Sequence, residues 1–292
     1  MRTLLQDLRY GFRIFAANPG FTAVAILSLA VGIGATTAMF SLSDALLLRP
    51  LPVERPGEIV RIFSTTKEDP LGSTSYLDYI DFRNQTKTLA GLAGYNHIPL
   101  GFNANPNTPA QIRLGVAVTT NFFEVLGVKT PMGRGFRTDD DREPVVVLSD
   151  SFWESQFARD PSVIGRRVRL SNLDFTVIGV ASRNFSGLQL FIHEEMYVPM
   201  GIRPRLSPEA NNGLQNRDRG SLFVYGRLAP GRTARETQAE LATIARHLSR
   251  MRATFRSTLR REQPSRWAVS LCVHPARYSS ANSRRRSGRP LR

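Results

Sequence analysis

The residue types that do chemistry are few in this 292-residue chain, and they are scattered. Its four histidines, His97, His193, His247 and His274, stand far apart. His193-Glu194-Glu195 lacks the second histidine that a zinc-binding helix needs four residues on. Asp139-Asp140-Asp141 hints at a cation site, but Arg142 and Glu143 follow, without the alternating ligands or turn glycine of a calcium loop. The run reads as a solvated loop. Asp78 and Asp81, three apart, share a side of a helix as an acid–base pair would, though an exposed helical face is the reading preferred for them. No serine occupies a G-x-S-x-G elbow, and Ser186-Gly187 and Ser221 have no special surroundings. Cys272 is the one cysteine, so neither an intramolecular disulfide nor a cysteine-built metal site can form. These residues point to no catalytic, metal or cofactor site, and the chain reads as a non-enzyme.

One glycine pair raises a different chemistry. Gly32-Ile33-Gly34 begins like a dinucleotide loop, but the third glycine is missing and no ribose-binding acid follows in a βαβ unit. No G-x-x-x-x-G-K-[ST] occurs, so no nucleotide is hydrolysed by that route. The pair belongs instead to an uncharged run from Ile14 to Ser43, bounded by Arg13 and Asp44. Fourteen of residues 21–40 are apolar and the rest are Gly, Ser or Thr, enough to span a bilayer core as a helix. The run is about twice a signal peptide's apolar region of roughly 7–15 residues, and no convincing cleavage site ends it. A retained transmembrane helix over residues 19–48 is expected. Ser28, Gly32 and Thr36 are spaced by four, as are Ala30, Gly34 and Ala38. Such ridges let another helix approach closely, which drives packing in lipid, so these six are the expected helix-packing residues.

Arg2, Arg9 and Arg13 against Asp7 on one flank, and Arg49 and Arg55 against Asp44 and Glu54 on the other, favour a cytoplasmic N-terminus by one arginine. Leu4, Leu5, Leu8, Phe12 and Phe15 form a stripe opposite polar residues, so residues 1–18 read as an interfacial amphipathic helix against membrane lipid.

Residues 49–248 read as one water-exposed region of α+β class. Strands are expected at Glu58–Phe63, Gln111–Val118, Pro144–Leu148, Asp174–Val180 and Leu222–Arg227. Helices are expected at Ser75–Gln85, Asn121–Leu126, Asp150–Ala158 behind a Ser149 or Asp150 cap, and Thr233–Leu248. Strands with scattered helices and no regular βαβ alternation suggest α+β.

The formal charge of +15 sits mostly at the end: residues 246–292 hold thirteen arginines and one acid, Glu262, leaving about +3 for the rest. A nucleic-acid function would rest entirely on that segment, and none is expected. Residues 249–292 read as a basic tail that is disordered, or a lipid- or nucleic-acid-binding arm, or translated in a shifted frame. The third reading is preferred because the helix before it breaks off in mid-pattern.

The run NPGFTAVAILSLAVGIGA (18–35) with LLLRPLP (46–52) resembles the first membrane helix of MacB/FtsX-type ABC transporter permeases. The likeness is nearest to the large permeases of soil bacteria such as acidobacteria. NFFEVLGV (121–128), PVVVLS (144–149), Phe152-Trp153 and FTVIGV (175–180) resemble the family's extracytoplasmic core, and RLAPG (227–231) its closing helix. The resemblance covers roughly residues 1–248. It implies a bacterial inner-membrane protein with a cytoplasmic N-terminus and a periplasmic domain, whose porter-like α+β part is interrupted by an inserted mixed subdomain. In the family this domain couples cytoplasmic ATP hydrolysis to movement outside the membrane, without catalytic residues or cofactors. Its implied partners are an ABC ATPase subunit, further permease helices from another chain, and a periplasmic adaptor. Family substrates range from peptides and macrolides to lipoproteins. The family's three later membrane helices have no counterpart here, so the expectation is a C-terminally truncated permease fragment. The rival expectation is a stand-alone anchored periplasmic domain that binds a ligand or partner without transport.

Overall fold

The computed structural model describes residues 13, 15, 17–47, 51–65, 72–103, 109–189, 192–206, 214–217, 220–258 and 270–275. It divides into two units, one holding the N-terminal helix and the other spanning Pro50–Arg277. The interfacial helix expected over residues 1–18 lies almost entirely outside the described residues.

The first unit's helix, α1, runs Pro19–Leu47, 29 residues, or about 43 Å at 1.5 Å per residue. Its stretch Pro19–Ser41 is long and apolar enough to cross a membrane. Pro19 suits a first turn, where its missing N–H leaves no bond unmade. Hydrophobic residues face outward all round: Phe21, Met39, Phe40 and Val31 are each at least 69% exposed.

In the second unit the chain alternates strand and helix twice around a long interruption. The first half is β1 (Ile59–Thr65), α2 (Tyr76–Gln85) and β2 (Leu89–Asn103). The interruption follows, with β3 (Gln111–Val118), α3 (Phe122–Leu126), β4 (Met132–Gly133), β5 (Val145–Leu148) and α4 (Asp150–Phe157). It continues through β6 (Arg167–Leu170), β7 (Leu173–Val180), β8 (Met196–Pro199) and α5 (Arg203–Leu206). The second half is β9 (Phe223–Leu228), α6 (Ala234–Thr258) and β10 (Ser270–Pro275).

Strands β10, β1, β9 and β2 lie side by side in that order, each antiparallel to its neighbour. Numbered along the chain, this is the 4-1-3-2 order of a split β-α-β pair. Helices α2 and α6 cover one face, where Tyr79, Phe82, Leu241, Ile244 and Ala245 meet Val60, Ile62, Leu92, Leu222 and Val224. A ring such as Phe82, 2% exposed, gains about 2–3 kcal/mol from burial. Ser75 caps α2 through Asp78 N–H, and Thr233 and Glu236 cap α6 reciprocally. Glu240 on α6 accepts from the Lys87 and Thr88 amides at 2.9 and 3.0 Å, fixing the helix to the start of β2.

The second part of β2 leaves this four-strand group and pairs with β3, continuing the sheet through β8, β5, β7 and β4. Two of these pairings, β3 with β8 and β5 with β7, are parallel. The α+β architecture with a mixed insertion is therefore seen as expected.

Three particulars differ from the sequence reading. Strand β2 is the longest and was not expected, because LAGLAGYNHIPLGFN is poor in β-branched residues. Its glycines serve close approach: a Cβ on Gly94 would sit 2.5 Å from Leu222 Cδ2. Helix α6 runs ten residues beyond the expected end at 248; Leu248, Met251 and Phe255 keep the helical spacing, and arginine between them favours helix. Residues 270–275, assigned to the tail, form the strand paired with β1. The remainder of 259–292 lies outside the described residues.

Candidate functional site around Arg227

Leu51, the first described residue of the second unit, is 2% exposed. Val53 N–H closes back on Leu51 O at 2.8 Å, and Glu54 N–H reaches Leu126 O at the end of α3 at 3.2 Å. Arg55 then adopts the left-handed conformation at φ 50°, turning the chain into a single 3-10 turn, Pro56–Glu58, that delivers Ile59 to β1. Arg227 on β9 lies directly opposite Ile59 in the register. Its guanidinium gathers three segments. Nε donates to Val125 O at 2.7 Å, Nη1 meets Glu58 Oε2 at 2.9 Å, and Nη2 donates to Glu54 O at 2.9 Å. The Arg227 side chain is only 11% exposed, so these contacts offset the cost of burying its charge.

Gly127 makes the close fit possible. It ends α3 at φ 67°, a left-handed position that glycine takes without strain. A Cβ there would lie 2.6 Å from Glu54 Cβ. Ahead of it, α3 drives aromatic side chains into the sheet face away from α2 and α6. Phe122 and Phe123 pack against Tyr197, and Phe122 also against Tyr95.

The six expected packing residues of α1, Ser28, Ala30, Gly32, Gly34, Thr36 and Ala38, are all exposed. Among the described residues, a Cβ on Gly32 or Gly34 would meet no atom within 4 Å. Thr36 Oγ1 donates to Gly32 O at 2.7 Å, so its hydroxyl is satisfied within the helix. At 100° per residue the two ridges lie about 200° apart, on nearly opposite sides.

The acidic residues that suggested chemistry in the sequence include several with structural partners. Asp78 is buried rather than part of an open face, and Asp78 and Asp81 both meet Arg217 Nη1, at 3.0 and 2.5 Å. Asp140 forms a two-pronged pair with Arg134 and accepts from Arg137 N–H at 2.7 Å. The Arg134 hydrogen bond holds the Asp140 carboxyl below the usual range. Asp141 accepts from Gly201 N–H at 3.2 Å, so the acidic run is not the plain solvated loop expected. The consecutive carboxylates of His193-Glu194-Glu195 part company. Glu194 is buried, accepts from Tyr197 O–H at 3.2 Å and lies 3.4 Å from His97 Nε2, while Glu195 pairs with Arg113. Burial pushes the Tyr197 phenol well up, keeping it a donor to Glu194. Among the described residues no three His, Cys, Asp or Glu side chains form a group that could hold a metal.

Arg227 falls within RLAPG, a segment whose sequence alone indicates no role for it. The available signal was an arginine closing a buried strand, FVYGRL, where a charge needs several partners.

Comparison with known proteins agrees with this architecture. A domain of a Porphyromonas gingivalis protein described as a permease matches with a TM-score of 0.53 at 13% identity, over 79% of this chain and 96% of that one. The periplasmic region of MacB from Actinobacillus actinomycetemcomitans matches with a TM-score of 0.50 at 16% identity, over 73% and 96%. At such identities the likeness concerns the fold. In sequence, the macrolide export ATP-binding/permease protein MacB of Campylobacter fetus is 27% identical over 140 residues, 46% of this chain. That alignment spans 19% of the Campylobacter protein. The model of the MacB-like periplasmic core domain matches residues 22–244, most of the chain, and the chain therefore belongs to that family, a family of ABC-type permease components.

Proposed function

We propose that the chain is a permease component of an ABC-type export or mechanotransmission system, whose periplasmic domain couples cytoplasmic ATP hydrolysis to movement outside the membrane. The observation that carries this reading is the presence, in one chain, of a MacB-like core and an apolar helix long enough to cross a membrane. A helix with two small-residue ridges is suited to neighbours in lipid, and this reading takes them from further permease helices of another chain. The ATP-driven step belongs to an ABC ATPase subunit beneath the membrane, and a periplasmic adaptor is a further partner. The N-terminus is cytoplasmic and the main domain periplasmic.

The test uses the full chain with Cys272→Ala and Ile112→Cys, since Ile112 is 84% exposed on β3. A membrane-impermeant maleimide is expected to label it in intact spheroplasts; labelling only after lysis would reverse the orientation. In membranes holding the chain with an ABC ATPase expressed beside it, a fluorophore at the same site is expected to change emission between ATP with vanadate and no nucleotide. No change would favour a stand-alone binding domain.

A further inference from the structure

The segment from Leu51 to Glu58 poses a mechanical problem. It is the described part of the connection between the apolar helix, which ends at Leu47, and β1, and its regular structure is one 3-10 turn, Pro56–Glu58. Eight residues drawn straight reach about 28 Å, whereas a one-turn displacement of a helix is about 5.4 Å. Were this segment free to straighten, it would absorb the whole stroke before β1 felt anything.

We propose that Arg227 is the fastening through which displacement of the membrane helix enters the domain. This rests on the coupling reading given above. The guanidinium holds the arriving segment at two points, Glu54 O and the Glu58 carboxylate, and removes its slack. It also fixes where the displacement goes. Arg227 belongs to β9, which lies between β1 and β2, so the four-strand group is moved from within. Its Nε–Val125 O bond joins α3, whose Phe122 and Phe123 pack on Tyr197 of the insertion. One side chain thus divides the stroke between the porter-like sheet and the inserted subdomain. Arginine suits the task because its planar fork sends donors in several fixed directions, whereas lysine presents a single point charge. Glu54 N–H to Leu126 O and the Gly127 fit keep the segment seated along α3. Arg227 is a positioning residue and touches no substrate.

Force spectroscopy on the full chain in bicelles tests this without ATP or any partner, so its failure is distinguishable from failure of the coupling reading. Handles are attached through Arg49→Cys and Ile112→Cys in a Cys272→Ala background. With Arg227 present, the domain is expected to open without an earlier extension. Arg227→Ala is expected to add a separate low-force step of up to about 28 Å, the slack of eight residues. Arg227→Lys should show the same step while its thermal midpoint stays near that of the parent, a split that general loosening would not produce. Identical first ruptures in the parent and Arg227→Ala would overturn the proposal. If Arg227→Ala does not fold, Glu58→Ala, which leaves β9 unchanged, must show the early step at intermediate force, and its absence would be equally decisive.

Discussion

Glycine serves opposite purposes in the two units. On α1, Gly32 and Gly34 lie on a surface with no atom within 4 Å of where a side chain would begin. In β2, Gly91 and Gly94 are already met there by Val125 at 2.7 Å and Leu222 at 2.5 Å. In the domain the missing side chain admits Val125 and Leu222, whereas a packing role for the helix glycines is a proposal. In the domain the neighbour is present in the same chain, and the fit is closed. On the helix the space is unfilled, which suits a partner approaching from the outside.

The largest expected effect comes from adding bulk where space is already used. Gly94→Val should destabilise the domain by about 3 kcal/mol through overpacking against Leu222, read as a lowered midpoint in denaturant. A loss under about 1 kcal/mol would mean that Leu222 can step aside and that the domain's glycines are as unencumbered as those of the helix.

A smaller effect is expected at a polar contact of the domain. Asp140→Asn should cost about 2 kcal/mol at neutral pH by breaking its charge-assisted pairing with Arg134. Because the folded carboxyl titrates below its unfolded value, its contribution is complete above the ordinary aspartate range and fades as pH falls through the lowered folded value. The gap between parent and Asp140→Asn should therefore begin to narrow near the ordinary aspartate value, about pH 4, and close only below the lowered folded value. A gap independent of pH would remove the ionised carboxylate from the account.

The smallest effect on folding is expected on the helix. Gly32→Leu with Gly34→Leu should leave the domain's unfolding midpoint unchanged within about 0.5 kcal/mol. In membranes containing the partner helices it should weaken crosslinking from position 38. Unaltered crosslinking would dissolve the contrast between an open and a closed use of glycine.

Much of this architecture was legible in the residues. The twenty-residue apolar run announced α1, Ser149 was one of two caps expected for α4, and Gln111–Val118 falls where alternation placed it. What stayed hidden depends on partners distant in sequence. Strand β2 is held by pairing with β9, β3 and β6 rather than by its own propensity. The junction depends on Arg227 finding Glu54, Glu58 and Val125, between 102 and 173 residues away. A sequence can reveal that a buried arginine needs acceptors, but not which ones the fold will bring to it.

The pairing of Tyr95 with Phe223 has a consequence for how such a protein can change over time. The chain departs into its insertion and returns from it on neighbouring strands, and α3 adds a second anchor through Glu54 and Arg227. Loops beyond α3 that make none of these contacts can be lengthened, shortened or exchanged without altering the spacing of β1, β9 and β10. Lineages could thus diversify what the outer part touches while inheriting the inner frame unchanged.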